Sequence, residues 1–171
     1  MLIVRTNPQY LDRVMIVILV IVFSLSSILF LDLFPKVWMD EAGDSTTTYT
    51  FQKDGTFRFL PLVSDSMGNQ DIHFLQPRIV PDLVRAPFFL LMGVGSIPGR
   101  LASVFMGVIA VVGMYLLSRK IGGIVFASIC TLFLIFDNVF FVVARTIRPE
   151  IYITAIAIWV LYLIFEAGTG F

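Results

Sequence analysis

Between Val14 and Phe34 the chain carries a single charge, Asp32, near the far end of the run. A helix needs about 20 mainly apolar residues to cross the hydrocarbon core of a bilayer, and this run supplies them. It is too long for the apolar core of a signal peptide and lacks a small-residue cleavage site, so it reads as a permanent span. Three more runs share its character. Leu101 to Leu117 is introduced by Pro98-Gly99-Arg100 and closed by Ser118-Arg119-Lys120. A third starts at Gly122 and continues to Phe136, or to Ala144 if Asp137 and Asn138 are tolerated inside, and a fourth runs Ile151 to Phe165 after Pro149. The expected fold is therefore an all-α, multi-span membrane protein. Its four transmembrane helices would cover about 14–34, 101–117, 122–144 and 151–165 of a single membrane domain, 1–171. Composition agrees: 58% of residues are hydrophobic, 17 are Phe, and the mean hydropathy is +0.92, values outside the ordinary soluble range.

The polar stretches between these runs carry the chemistry. The lead from Met1 to Arg13 contains Pro8, which argues against a helix running through it. Residues 36–100 form one long loop, with most of the acids in its first part. Within it, Thr48 to Phe59 alternates polar and aromatic residues around Asp54-Gly55, a signature of a β-hairpin because Gly accepts positive φ in a tight turn. Pro61, Pro77 and Pro81 mark the remainder as irregular. The apolar piece Ala86 to Gly95 is too short to cross and is expected at the interface or half-buried against the bundle. On the second span, Ser103, Gly107, Ala110 and Gly113 make a face of small residues that lets another helix come close.

Four spans allow one alternation. The amino terminus and Arg119-Lys120 lie on one side, while Asp40 to Arg100 and Arg145 to Glu150 lie on the other. Arg5, Arg13, Arg119 and Lys120 on short segments make the first side cytoplasmic by the positive-inside tendency, which weakens over a segment as long as Lys36 to Arg100. Arg145 and Arg148 stay on the translocated side without that excuse, and an anionic ligand there would explain them. The outer ends of the spans then gather Asp40, Glu41, Arg100, Arg145, Arg148 and Glu150, with Trp38 where indole rings prefer to lie. A carboxylate can take a proton from a hydroxyl as general base. Arginines hold phosphate by forked, charge-assisted hydrogen bonds. Acids and arginines together at a membrane boundary suit a substrate with a lipid tail and a phosphate head.

Asp40-Glu41 after the first helix, Pro87 followed by Gly93 and Gly95, Arg100-Leu-Ala-Ser, and Arg145 to Glu150 occur in the order seen in GT-C membrane glycosyltransferases. The chain most resembles the branch that includes protein O-mannosyltransferases and the aminoarabinose transferase of lipid A, most strongly over Gly99 to Thr154. That resemblance implies an inverting glycosyl transfer from a polyprenyl-phosphate-linked sugar donor to a hydroxyl of a protein, lipid or glycan acceptor. It also implies a multi-pass protein of the cell membrane, or of the endoplasmic reticulum membrane in a eukaryote, with the amino terminus cytoplasmic. By motif position it implies Asp40 as catalytic base with Glu41 beside it, so that Glu41→Gln should reduce transfer less than Asp40→Asn. It further implies Arg100 as a structural or phosphate contact and Glu150 as the second-loop acid, with Arg145 and Arg148 on the donor. Two departures stand out. Gly43-Asp-Ser-Thr-Thr-Thr replaces the usual Ala-, Arg- and Glu-rich helical segment, so the hairpin is expected in its place. The chain stops at Gly168-Thr-Gly-Phe171, where the family has further spans, and so looks like the amino-terminal part of such an enzyme, a fragment or a truncated descendant.

The plainer readings differ residue by residue. Taken without the arginines, Asp40 and Glu41 are solvated residues flanking a helix. Arg145 and Arg148 can equally neutralise Glu150 and lipid headgroups. His73, the only histidine, reads as an ordinary loop residue, and Cys130, the only cysteine, excludes an internal disulfide. No cofactor is expected, with a divalent metal left open. Asp137 reads as a cap or breaker. Zero net charge gives no reason to expect nucleic acid, and membrane lipids are the surrounding partner. The rival from another class is a non-catalytic membrane subunit or remnant that binds the lipid carrier or a partner helix. A transporter half is disfavoured because no charge sits mid-span.

Overall fold

The computed structural model describes residues 8–37, 39–56 and 79–168. Trp38, His73, Arg58 and the second arm of the expected hairpin lie outside the described residues. Among those described, all regular structure is helical: α1 (Pro8–Ile28), α2 (Met39–Asp54), α3 (Ile79–Met92), α4 (Ser96–Phe136), α5 (Asn138–Val143) and α6 (Glu150–Gly168). Of these, α1, α4 and α6 are long and apolar enough to cross a membrane.

Pro8, expected to keep a helix from running through the lead, stands at the start of α1. At the first helical position proline's missing N–H has no intrahelical partner to lose, and its fixed φ suits the helix. The helix then ends at Ile28, short of Phe34, in a run of turns through Leu31 and Phe34.

At 41 residues, α4 would measure roughly 60 Å if straight, about twice the thickness of a bilayer core. It is not straight. Gly123 interrupts it at φ 80° and ψ −173°, a positive-φ extended conformation open to glycine without steric cost. The chain doubles back there. A Cβ on Gly107 would meet Ala144, and one on Gly99 would run into Ile147, so the segment after Gly123 returns alongside the segment before it. Asp137 breaks this return leg, and its side chain accepts from the Phe140 N–H at 2.7 Å to cap α5. That matches its reading as a cap or breaker.

The small-residue face on α4 receives two neighbours rather than one. A Cβ on Gly107 would lie 2.5 Å from the Phe23 ring of α1, and one on Gly113 would lie 2.9 Å from Trp159 Nε1 of α6. The Trp159 indole donates to the Ile109 carbonyl at 3.0 Å. The buried core lies between these helices, with Leu19 and Phe23 from α1, Ala110 and Val111 from α4, and Ile151 and Ala155 from α6.

The segment expected to form a hairpin is helical through Asp54. Gly55 does take a positive φ, 74°, but its N–H bonds back to the Phe51 carbonyl at 3.0 Å. It therefore closes a helix in the left-handed capping conformation instead of turning a strand. Gly93 (φ 83°) closes α3 the same way, its N–H on the Phe89 carbonyl at 2.9 Å.

Candidate active site

The first turn of α2 aims its two acids apart, because successive residues on a helix project about 100° from each other. Glu41 is 1% exposed. Its Oε2 accepts from Arg100 Nε at 3.0 Å and its Oε1 from Arg100 Nη2 at 2.9 Å. Oε2 also accepts from the backbone N–H of Ile147 at 3.1 Å. Arg100, fully buried, turns its remaining Nη1 to the Leu31 carbonyl at 2.7 Å. One ion pair thus ties together the segment after α1, the start of α2, the start of α4 and the turn before α6. Burying two charges is tolerable only when geometry and extra hydrogen bonds offset the lost hydration, and here the fork-to-fork pairing has both.

Asp40 points elsewhere. It is exposed and has no hydrogen-bond or ion-pair partner among the described residues. Together with Glu41, Val142, Val143, Thr146 and Arg148 it lines a cavity of about 110 Å³. On the other side of Glu41 opens an apolar groove of about 430 Å³ between α2 and the start of α4, walled by Val37, Ala42, Tyr49, Val94 and Ile147.

The arginines divide. Arg148 lines the cavity and pairs with Glu150 at 2.9 Å, both half exposed. Arg145 is buried away from it: Nη2 donates to the Leu29 carbonyl at 2.7 Å, and the guanidinium lies over the Phe141 and Phe34 rings. Burial, and then the charge of Arg100, hold the Arg145 guanidinium below its usual proton affinity. Its Nε has no hydrogen-bond partner among the described residues.

A second buried polar cluster escaped the sequence reading, which took Pro81 as a mark of irregular chain. Asp82 and Arg85, both fully buried on α3, face each other at 3.4 Å. Asp82 Oδ1 accepts from the Thr47 and Thr48 hydroxyls of α2 at 2.8 and 2.6 Å. Arg85 Nη1 donates to the Asp44 carbonyl at 2.6 Å, and Gln52 Nε2 to the Ala86 carbonyl at 2.6 Å. An acid and a base one helical turn apart in an otherwise apolar stretch were the signal available.

All of this lies at one end of the bundle. At the other, Arg119 grips Asp12 with two hydrogen bonds of 2.8 and 3.0 Å, Tyr115 Oη donates to the same carboxylate at 3.0 Å, and Lys120 pairs with Glu166. Asp40, Glu41, Arg100, Arg145, Arg148 and Glu150 therefore lie toward one end of the bundle, and Asp12, Arg119 and Lys120 toward the other.

A family model described as dolichyl-phosphate-mannose-protein mannosyltransferase matches residues 76–169. The match takes in Asp82, Arg85, Arg100, Arg145, Arg148 and Glu150, and leaves Asp40 and Glu41 outside. No curated protein and no solved structure matches the chain.

Proposed function

Since the chain belongs to the dolichyl-phosphate-mannose-protein mannosyltransferase family, we propose that it transfers a glycosyl group from a polyprenyl-phosphate-linked sugar to an acceptor hydroxyl, at the end of the bundle that carries Asp40. The observation that carries this reading is the division of labour within the acid pair. Glu41 is committed to Arg100 and Ile147, while Asp40 is exposed beside a cavity with Arg148 and Thr146.

In this reading Asp40 is the general base. The acceptor oxygen attacks the anomeric carbon as Asp40 takes its proton. The bond from that carbon to the phosphate oxygen breaks, its electron pair leaves with the polyprenyl phosphate, and configuration inverts. Arg148 shares the cavity wall with Asp40 and neutralises the departing phosphate. The apolar groove flanking Glu41 has the chemistry to take the first isoprene units of the carrier.

The four-crossing topology belongs to the same proposal. Gly123 divides α4 into an outgoing and a returning leg. With α1 and α6 these give four crossings, the amino terminus cytoplasmic and Asp40 extracytoplasmic.

The test is sugar transfer from a synthetic polyprenyl-phosphate donor by purified protein in detergent. Asp40→Asn keeps the side-chain volume and breaks no hydrogen bond or ion pair among the described residues. It should lower transfer by about 10²–10⁴-fold, the usual contribution of a positioned base, with folded yield unchanged. A near-normal rate would mean that the base is another residue.

A further inference from the structure

The sequence of α2 has little reason to be a helix. From Gly43 to Thr48 it reads Gly-Asp-Ser-Thr-Thr-Thr, and glycine and β-branched residues are poor helix formers. Several of its hydroxyls turn back onto the helix: Ser45 Oγ to the Glu41 carbonyl at 2.7 Å, Thr46 Oγ1 to Gly43 at 2.7 Å and Thr47 Oγ1 to Asp44 at 3.0 Å. Such bonds compete with the helix more than they support it. No apolar stripe runs along it either. What holds it lies outside it, on α3.

We infer that Asp82 and Arg85 are positioning residues for the transfer reaction, acting on Asp40 through α2; this rests on the reading of Asp40 as the base. Asp82 takes the hydroxyls of Thr47 and Thr48, and Arg85 takes the Asp44 carbonyl one turn beyond Asp40. The Thr48 and Asp44 bonds are buried and the Thr47 bond partly so, which shields them from water, and together they fix both the rotation and the height of α2. Asp40 makes no hydrogen bond or ion pair of its own among the described residues. Its location is set by the helix it stands on, pinned by Glu41 at one end and by α3 a turn later. Misplacing a reacting group by about 1 Å can lower a rate by roughly a hundredfold. Asp82 and Arg85, through Thr47, Thr48 and the Asp44 carbonyl, thus act on the base without lining its cavity.

The experiment is a double-mutant cycle on transfer, measured per folded molecule. Asp82→Ala should lower kcat by about tenfold to a hundredfold with the donor KM within about twofold, because the groove and Arg148 are untouched. Asp82→Asn, which keeps an oxygen for both hydroxyls, should recover most of the loss. Added to Asp40→Asn, Asp82→Ala should change the residual rate by less than about twofold, since there is no longer a base to position. Should Asp82→Ala fail to fold, Thr47→Val with Thr48→Val removes the same hydroxyl contacts more gently and carries the same expectations. Additive losses, or an Asp82 variant with a normal rate per folded molecule, would overturn the inference. If Asp40→Asn is itself active, the base assignment fails whatever Asp82 does; if it is inactive while Asp82→Ala is normal, only the positioning role fails.

Discussion

Glu41→Gln is the substitution for which the structure makes the sharpest forecast. The amide is the same size as the carboxylate, so packing is preserved. Arg100, fully buried, would lose its counter-charge and keep only the Leu31 carbonyl as a full partner. In addition, one arm of the new side chain would be an NH₂ group facing the Arg100 or Ile147 donors that Glu41 now accepts from. Removing one partner of a buried ion pair costs about 3–5 kcal/mol. That is about two to four powers of ten in the folded-to-unfolded ratio, and a large share of the roughly 5–15 kcal/mol that keeps a typical domain folded. The loss should appear as reduced monodisperse yield and a lower unfolding midpoint in detergent, with Asp40→Asn unchanged in the same assays. The sequence alone ranks Glu41→Gln as the milder of the two for transfer. The structure moves the effect of Glu41 from chemistry to folding. The swapped pair, Glu41→Arg with Arg100→Glu, separates the causes. It restores opposite charges but sets a guanidinium against the Ile147 N–H and a carboxylate against the Leu31 carbonyl. Each of those backbone groups would be left unpaired at about 1–3 kcal/mol, so the swap should remain destabilised. Wild-type stability in the swap would refute the reasoning, because simple charge attraction would then suffice.

Two further outcomes follow from the topology. A cysteine at Gly55 should react with a membrane-impermeant reagent from outside, and one at Ile121 only after permeabilisation, with Cys130 replaced first; labelling of both from the same side would remove the four-crossing arrangement. Gly123→Ala meets nothing within 4 Å but holds a φ of +80°, so the change isolates backbone strain. It should destabilise the fold by about 1–3 kcal/mol, seen in thermal unfolding, whereas an unchanged midpoint would show that the turn between the two legs relaxes freely.

Long apolar runs fix a helical membrane protein from sequence alone, since a lipid-exposed backbone must satisfy its own hydrogen bonds. The order of those runs also led to the grouping of Asp40, Glu41, Arg100, Arg145, Arg148 and Glu150; within it, Glu41 touches Arg100 and Arg148 touches Glu150. Local signals were weaker where one residue type serves two geometries. Gly55 supplies the positive φ that a hairpin turn and a helix cap both require, and nothing within residues 48–56 chooses between them. Asp82 and Arg85, far along the chain, favour the helix by giving the Thr47 and Thr48 hydroxyls and the Asp44 carbonyl of α2 partners on α3. Tertiary hydrogen bonds override a propensity worth a few tenths of a kcal/mol per residue. The roles within the acid pair were likewise invisible in Asp40-Glu41 as text. Two neighbouring carboxylates become different only when the fold brings Arg100 and the Ile147 N–H to one of them and leaves the other facing open space.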